Sequence, residues 1–200
     1  MTDTDPWWIA PRMVRWLITV YLLGAVLTTI YPALVTFLGL VSPLGQSPIG
    51  PLSLLTYPFV MGGLAHWAQV ALLTWLPAVV LRDRMGAREM AVALLAGSLV
   101  GGATFVALTS QQYLVGGGMA AWGLAGASLG AFLRRRSVFR GWRRAYAFVL
   151  GVLLLVTAMA GTPHNAALLS AAAAGAVVGL VRPPTPDPDP EAASAASAVA

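Results

Sequence analysis

The sequence predicts an all-α membrane protein, a six-transmembrane-helix bundle with both termini in the cytoplasm. Three observations carry this. The 200 residues are 58% hydrophobic and only 10% charged, with a mean hydropathy of +0.77, whereas a soluble domain carries about 25% charged residues. Apolar stretches of membrane-crossing length alternate with polar, charged or proline-rich connections along the chain. All 12 basic residues are arginines, and they fall only in every second connection, at the N-terminal end of the first apolar stretch and just beyond the last. Arginines collect in short cytoplasmic loops, so this alternation requires an even number of crossings with both ends inside. The absence of cysteine excludes disulfides, thiolate catalysis and Cys-ligated metals. The net charge of +5 records topology rather than nucleic-acid binding, because the arginines flank hydrophobic spans.

The N-terminal segment 1–12 is polar and aromatic, with Trp7 and Trp8 ahead of Arg12 and Arg15, a pairing suited to the headgroup layer. It does not read as a cleaved signal, because the apolar run after it is too long. The first span is expected over Met13–Leu40. Val41–Tyr57 is an uncharged connection whose Pro43, Pro48 and Pro51 argue against a helix, and it is expected at the outer interface. The second span covers Leu64–Leu81, closed by Arg82, Arg84 and Arg88, and the third Met90–Leu108. Thr109–Val115 reads as a polar turn. The fourth span, Gly117–Leu133, ends at Arg134, Arg135 and Arg136. The fifth covers Ala145–Ala160, Gly161–Pro163 turns the chain, and the sixth covers His164–Val181. The six-helix domain is thus 13–182. The tail 183–200, rich in Pro, Ala, Asp and Ser, is too polar to join a core and is expected to be disordered.

The fourth span organises the bundle. Gly123, Gly126 and Gly130 recur at helical spacing, as do Gly175 and Gly179 in the sixth span. Small residues so spaced let helix backbones approach closely inside a bilayer, where packing drives association. The chain has two histidines, His66 and His164, each at the outer start of a span and so at the depth of the Gly116–Gly118 run. Polar residues at membrane depth usually face the bundle interior. Each also fits a purely structural, hydrogen-bonded role. Two histidines do not complete a metal site, since the acidic residues lie on the other side or in the tail. No cofactor is expected.

Four pieces in order now acquire a meaning: Thr56–His66, Leu81–Gly86, Gly116–Gly126 and His164–Leu168 with Gly175 and Gly179 beyond. Over about Leu55–Leu180 the chain resembles the rhomboid family of intramembrane serine proteases. The resemblance implies a rhomboid-like helix bundle in which His164 stands at the position of the catalytic base and His66 at that of a histidine opening the second helix. The family's fourth helix begins Gly-x-Ser-Gly. Aligned through Trp122, Gly123 and Gly126, Gly118 stands where the serine is expected and Met119 where the glycine is. A glycine has no hydroxyl to attack with. Val70 stands where the family has an asparagine as oxyanion donor, and Val41–Tyr57 has no counterpart of the family's Trp-Arg pair. Met119 is expected to crowd the turn that would present a nucleophile.

Ser128, in Gly-Ala-Ser-Leu-Gly, lies roughly 15 Å deeper than Gly118 at 1.5 Å rise per residue. Ser110 precedes the motif. The reading reached is a rhomboid-like membrane pseudoprotease without peptidase activity. It binds the lipid bilayer and transmembrane helices of other membrane proteins or a larger membrane complex. The expected location is a bacterial plasma membrane. The rival readings are an active protease with a displaced nucleophile and a structural subunit, for which Gly97, Gly101 and Ala172 would offer small-residue seams. A solute transporter is a further rival, for which no buried carboxylate or inverted repeat is seen.

Overall fold

The computed structural model describes residues 10–110, 112–134, 142–159 and 162–181. The long helices are α1 (Arg12–Ile30), α4 (Leu64–Leu81), α5 (Ala87–Leu108), α6 (Gly118–Arg134), α7 (Trp142–Met159) and α8 (Pro163–Val181). Two short helices, α2 (Ala33–Leu38) and α3 (Ser53–Thr56), lie between α1 and α4. The helices α1, α4, α5 and α8 are each long and apolar enough to cross a membrane. The segment 1–9, Gln111, the arginines Arg135, Arg136, Arg140 and Arg182, Gly161 and the tail 183–200 fall outside the described residues.

The first span is shorter than the sequence implied. It stops at Ile30 rather than running to Leu40. The cause is Pro32, which bars the residue before it from helical backbone; Tyr31 accordingly takes φ −125° and ψ 78°. Nineteen residues still extend about 28 Å, close to the hydrocarbon thickness.

At the centre is α6, buried continuously from Met119 to Ser128. Its neighbours come so near because glycine leaves out a side chain at each crossing. A Cβ on Gly97 of α5 would lie 2.5 Å from the Gly123 Cα. Beside it, a Cβ on Gly126 would strike the Ala172 carbonyl of α8, and one on Gly130 the Ala176 carbonyl. Reciprocally, a Cβ on Gly175 would strike the Gly123 carbonyl, and one on Gly179 the Ala127 carbonyl. Both helices therefore touch backbone to backbone, the contact that small residues permit in a bilayer. Gly101, by contrast, abuts the Met119 and Ala171 side chains. The helix α4 also packs on α6, and α1 packs on α4 through Val14, Tyr21 and Ala25. At one end Arg143 of α7 pairs with Asp83 of the α4–α5 turn at 2.6 Å.

The connection from Val41 to Tyr57 carries more structure than its prolines allowed. Strand β1 (Leu40–Ser42) pairs antiparallel with β2 (Gln112–Leu114), with Val41 opposite Tyr113. Thr109–Val115, read as a turn, thus contributes a strand. Between β1 and α4 run 3₁₀ turns at Leu44–Gln46, Gly50–Leu52 and Tyr57–Phe59, with α3 among them. Pro51 and Pro58 occupy early positions in two of these turns, where the missing N–H costs nothing. Hydroxyls then tie the connection to α5. Ser42 lies against the carbonyls of Val106 and Thr109, and the Tyr57 hydroxyl donates to the Ser98 carbonyl at 2.7 Å. Burial pushes the Tyr57 phenol up, so it remains a protonated donor.

Candidate functional site

The Tyr57 carbonyl accepts the Gly116 N–H at 3.0 Å, which joins this connection to the glycine run before α6. Each glycine of the run has a different reason to lack a side chain. Gly116 has φ +90°, and a Cβ on it would lie 2.6 Å from the His66 Nε2. Gly117 abuts the Tyr21 ring of α1, whose hydroxyl would be 2.6 Å from a Cβ. At Gly118 a Cβ would meet nothing within 4 Å. It is the one of the three at which a side chain would enter open space, and that space is the site.

A cavity of about 170 Å³ lies there, lined by residues of α4, α6, α8 and the β2–α6 turn. Among its lining residues are His66, Val70, Gly118, Met119, Trp122 and His164. The structure therefore brings together both histidines and the glycine run, which lie far apart in sequence. Gln69 also borders the cavity and is exposed.

His66 is half-buried in the first turn of α4. The Gly62 N–H donates to its Nδ1 at 3.1 Å. An accepting Nδ1 places the proton of the neutral ring on Nε2, the nitrogen beside Gly116. Gly63, at φ +108°, makes the sharp entry into α4 that sets Gly62 over the ring. His164 is exposed near the start of α8, and Phe105 of α5 meets its ring edge to face at 6.4 Å and 87°. Nothing in the sequence marked Phe105 or Tyr57 as supports of the site; each acts across the fold and has no local signature.

The apolar replacements are built into the core. Val70 is 2% exposed and clusters with Tyr21, Ala25 and Met61. Met119 is 1% exposed, and its Cβ and Cγ pack on Gly101 of α5. The crowding expected of Met119 over the turn is thus directed into the α5–α6 seam. Ser128 is buried deep in α6, 2.6 Å from the Ala125 carbonyl and 3.3 Å from the Tyr146 hydroxyl. Ser110 is exposed before β2. Neither serine is among the residues lining the cavity. Among the described residues no three His, Cys, Asp or Glu side chains converge in a manner able to hold a metal ion.

The Rhomboid domain family model matches residues 50–184. No curated protein matches the chain. The matched stretch runs from the 3₁₀ turn at Gly50–Leu52 through α8 and includes both histidines, the glycine run and the crossings of α6 with α5 and α8. An integral membrane chain that carries this domain over more than half its length belongs to the rhomboid family.

Proposed function

We propose that this chain is a rhomboid-like pseudoprotease, a membrane protein that binds transmembrane segments of partner proteins and has no peptidase activity. One observation carries the reading. Gly118 borders the cavity it shares with His66 and His164, and among the described residues none that lines the cavity bears a hydroxyl or a thiol. An imidazole base with no nucleophile to deprotonate cannot begin acyl transfer.

The binding half of the proposal is supported by a groove beside the cavity. It has a volume of about 140 Å³ and runs between α4, α6 and α7, lined by Leu72, Leu76, Pro77, Ala125, Leu150 and Leu153 among others. The α7 helix leaves Phe148 73% and Leu155 62% exposed, so it is held mainly along one side. An apolar partner helix fits such a surface through packing.

The purified protein should not react with a serine-directed fluorophosphonate probe. Specific labelling that disappears in His164→Ala would restore the reading of an active protease with a displaced nucleophile. A photo-crosslinker at Leu153 should capture transmembrane segments in native membranes. Uniform capture of one stoichiometric subunit would instead favour a structural role in a complex. The proposal includes six crossings, so tags at Met1 and Ala200 should both be shielded from the outside of intact cells. External access to either tag contradicts the arginine distribution argued above.

A further inference from the structure

Along α1 runs a face whose side chains are largely exposed. Arg12, Arg15, Trp16 and Thr19 line a surface depression of about 280 Å³. Their spacing puts them on one side of the helix, since residues three and four apart are neighbours there. Val14, Tyr21 and Ala25 on the other side are buried. Both arginines are exposed, and Trp16 is 61% exposed. The first turn of α1 holds no acidic residue, and neither guanidinium forms an ion pair among the described residues. Cations at a helix N-terminus oppose the macrodipole, so folding of α1 alone gives no reason for two arginines here. The Thr19 hydroxyl is already committed to the Arg15 carbonyl at 3.0 Å.

The same face continues as an aliphatic stripe. Val20, Leu23, Leu27 and Ile30 are 42%, 58%, 49% and 60% exposed, and the first three border an apolar groove of about 280 Å³ whose far wall is Leu34, Leu38 and Phe59. From Arg12 to Ile30 the stripe extends about 27 Å at 1.5 Å per residue. In order it presents two cations, an indole and then branched aliphatics. A phospholipid has the matching order: anionic phosphate, ester region, acyl chain.

We propose that this face of α1 seats an anionic phospholipid of the leaflet at which α1 begins. The phosphate lies between Arg12 and Arg15, the ester region against Trp16, and an acyl chain along Val20, Leu23 and Leu27. An Arg pair suits phosphate through planar, forked donors. A phosphocholine carries its own cation and competes with the arginines, whereas a phosphatidylglycerol does not. A free phosphate ion would use the arginines but not the stripe.

The test uses the full chain equilibrated with equal phosphatidylglycerol and phosphatidylcholine, with retained lipid counted by native mass spectrometry. Wild type should prefer phosphatidylglycerol, and the preference should fall about fivefold for each arginine removed, the worth of one such charge near an anionic surface. Arg12→Gln with Arg15→Gln should abolish it, and Arg15→Gln alone should remove part, which keeps the test usable if the double variant folds poorly. Arg88→Gln with Arg144→Gln, exposed arginines elsewhere, should leave it intact. Millimolar inorganic phosphate should not displace the lipid. Equal retention of both lipids by wild type overturns the proposal. So does an equal loss in the Arg88/Arg144 variant, which would mean diffuse attraction. Displacement by phosphate, or a protein segment cross-linked to Trp16 in place of lipid, overturns it as well.

Discussion

Gly175→Val in α8 should lower the melting temperature in detergent by roughly 10 °C or prevent folding. The argument is steric. A Cβ at Gly175 would overlap the Gly123 carbonyl of α6, and the atom in the way is backbone inside a helix. No side chain can rotate aside, so relief requires the helices to part. Overpacking of a core costs about 1–3 kcal/mol and sometimes more, and an unyielding backbone places this case at the upper end. One kilocalorie corresponds to about 2–4 °C for a chain of this size. Parting α6 from α8 also separates Gly126 from Ala172 and Gly179 from Ala127, so the loss should exceed that of a single contact. The matched control is Gly151→Ala on α7, where a Cβ meets nothing within 4 Å. There alanine should stabilise, by up to about 1 kcal/mol of helix propensity. Melting curves of the two variants should move in opposite directions. A Gly175→Val protein as stable as wild type would mean that α6 and α8 do not meet as described.

Much of this arrangement was legible because membrane helices announce themselves by apolar length and by where the arginines fall. The helices from Leu64 onward begin and end within a few residues of the positions read from the sequence. The glycine periodicity in α6 and α8 was equally plain, because a residue that contributes no packing surface inside an apolar run needs a reason. The errors cluster between Ile30 and Leu64. There the chain leaves regular hydropathy, and hydrogen bonds to distant partners decide its path. Pro32 was visible, but a 28-residue apolar run masked its effect. Strand β1 has three residues, and its partner is more than 60 positions away. No local pattern reveals such a pairing, and the same holds for Tyr57, whose carbonyl and hydroxyl connect the glycine run to α5. At the site, the residue types were legible and the contacts were not. That His66 accepts a hydrogen bond from the Gly62 N–H at Nδ1, and that Met119 points into the α5 seam, depend on angles between helices.

Those contacts govern the second large effect: Gly118→Ser alone should leave the protein inactive, although it restores a hydroxyl in the cavity of His164. The substitution itself should fold, since its Cβ enters open space and serine is at home where a helix begins. That same openness prevents the chemistry. A serine oxygen bonded to an imidazole nitrogen at about 2.8 Å keeps that nitrogen about 3.5 Å from the serine Cβ, by ordinary bond angles. Nothing lies within 4 Å of a Cβ at position 118, so no imidazole nitrogen stands where general-base catalysis needs it. Val70 then leaves out an oxyanion donor, worth about 10²–10³ in rate. The remaining restorations work against stability. Met119→Gly removes a fully buried side chain from the seam with Gly101, a change of the class that costs about 2–5 kcal/mol. Val70→Asn places an amide among Tyr21, Ala25 and Met61, which is costly unless each polar atom finds a partner. The triple variant should therefore melt well below wild type, while Gly118→Ser melts with it and cleaves nothing. The measurement is cleavage of a generic transmembrane substrate in liposomes beside a His164→Ala control. Rapid, His164-dependent cleavage by Gly118→Ser would show a site complete except for its serine, and the proposal of a cavity remodelled for binding would fail.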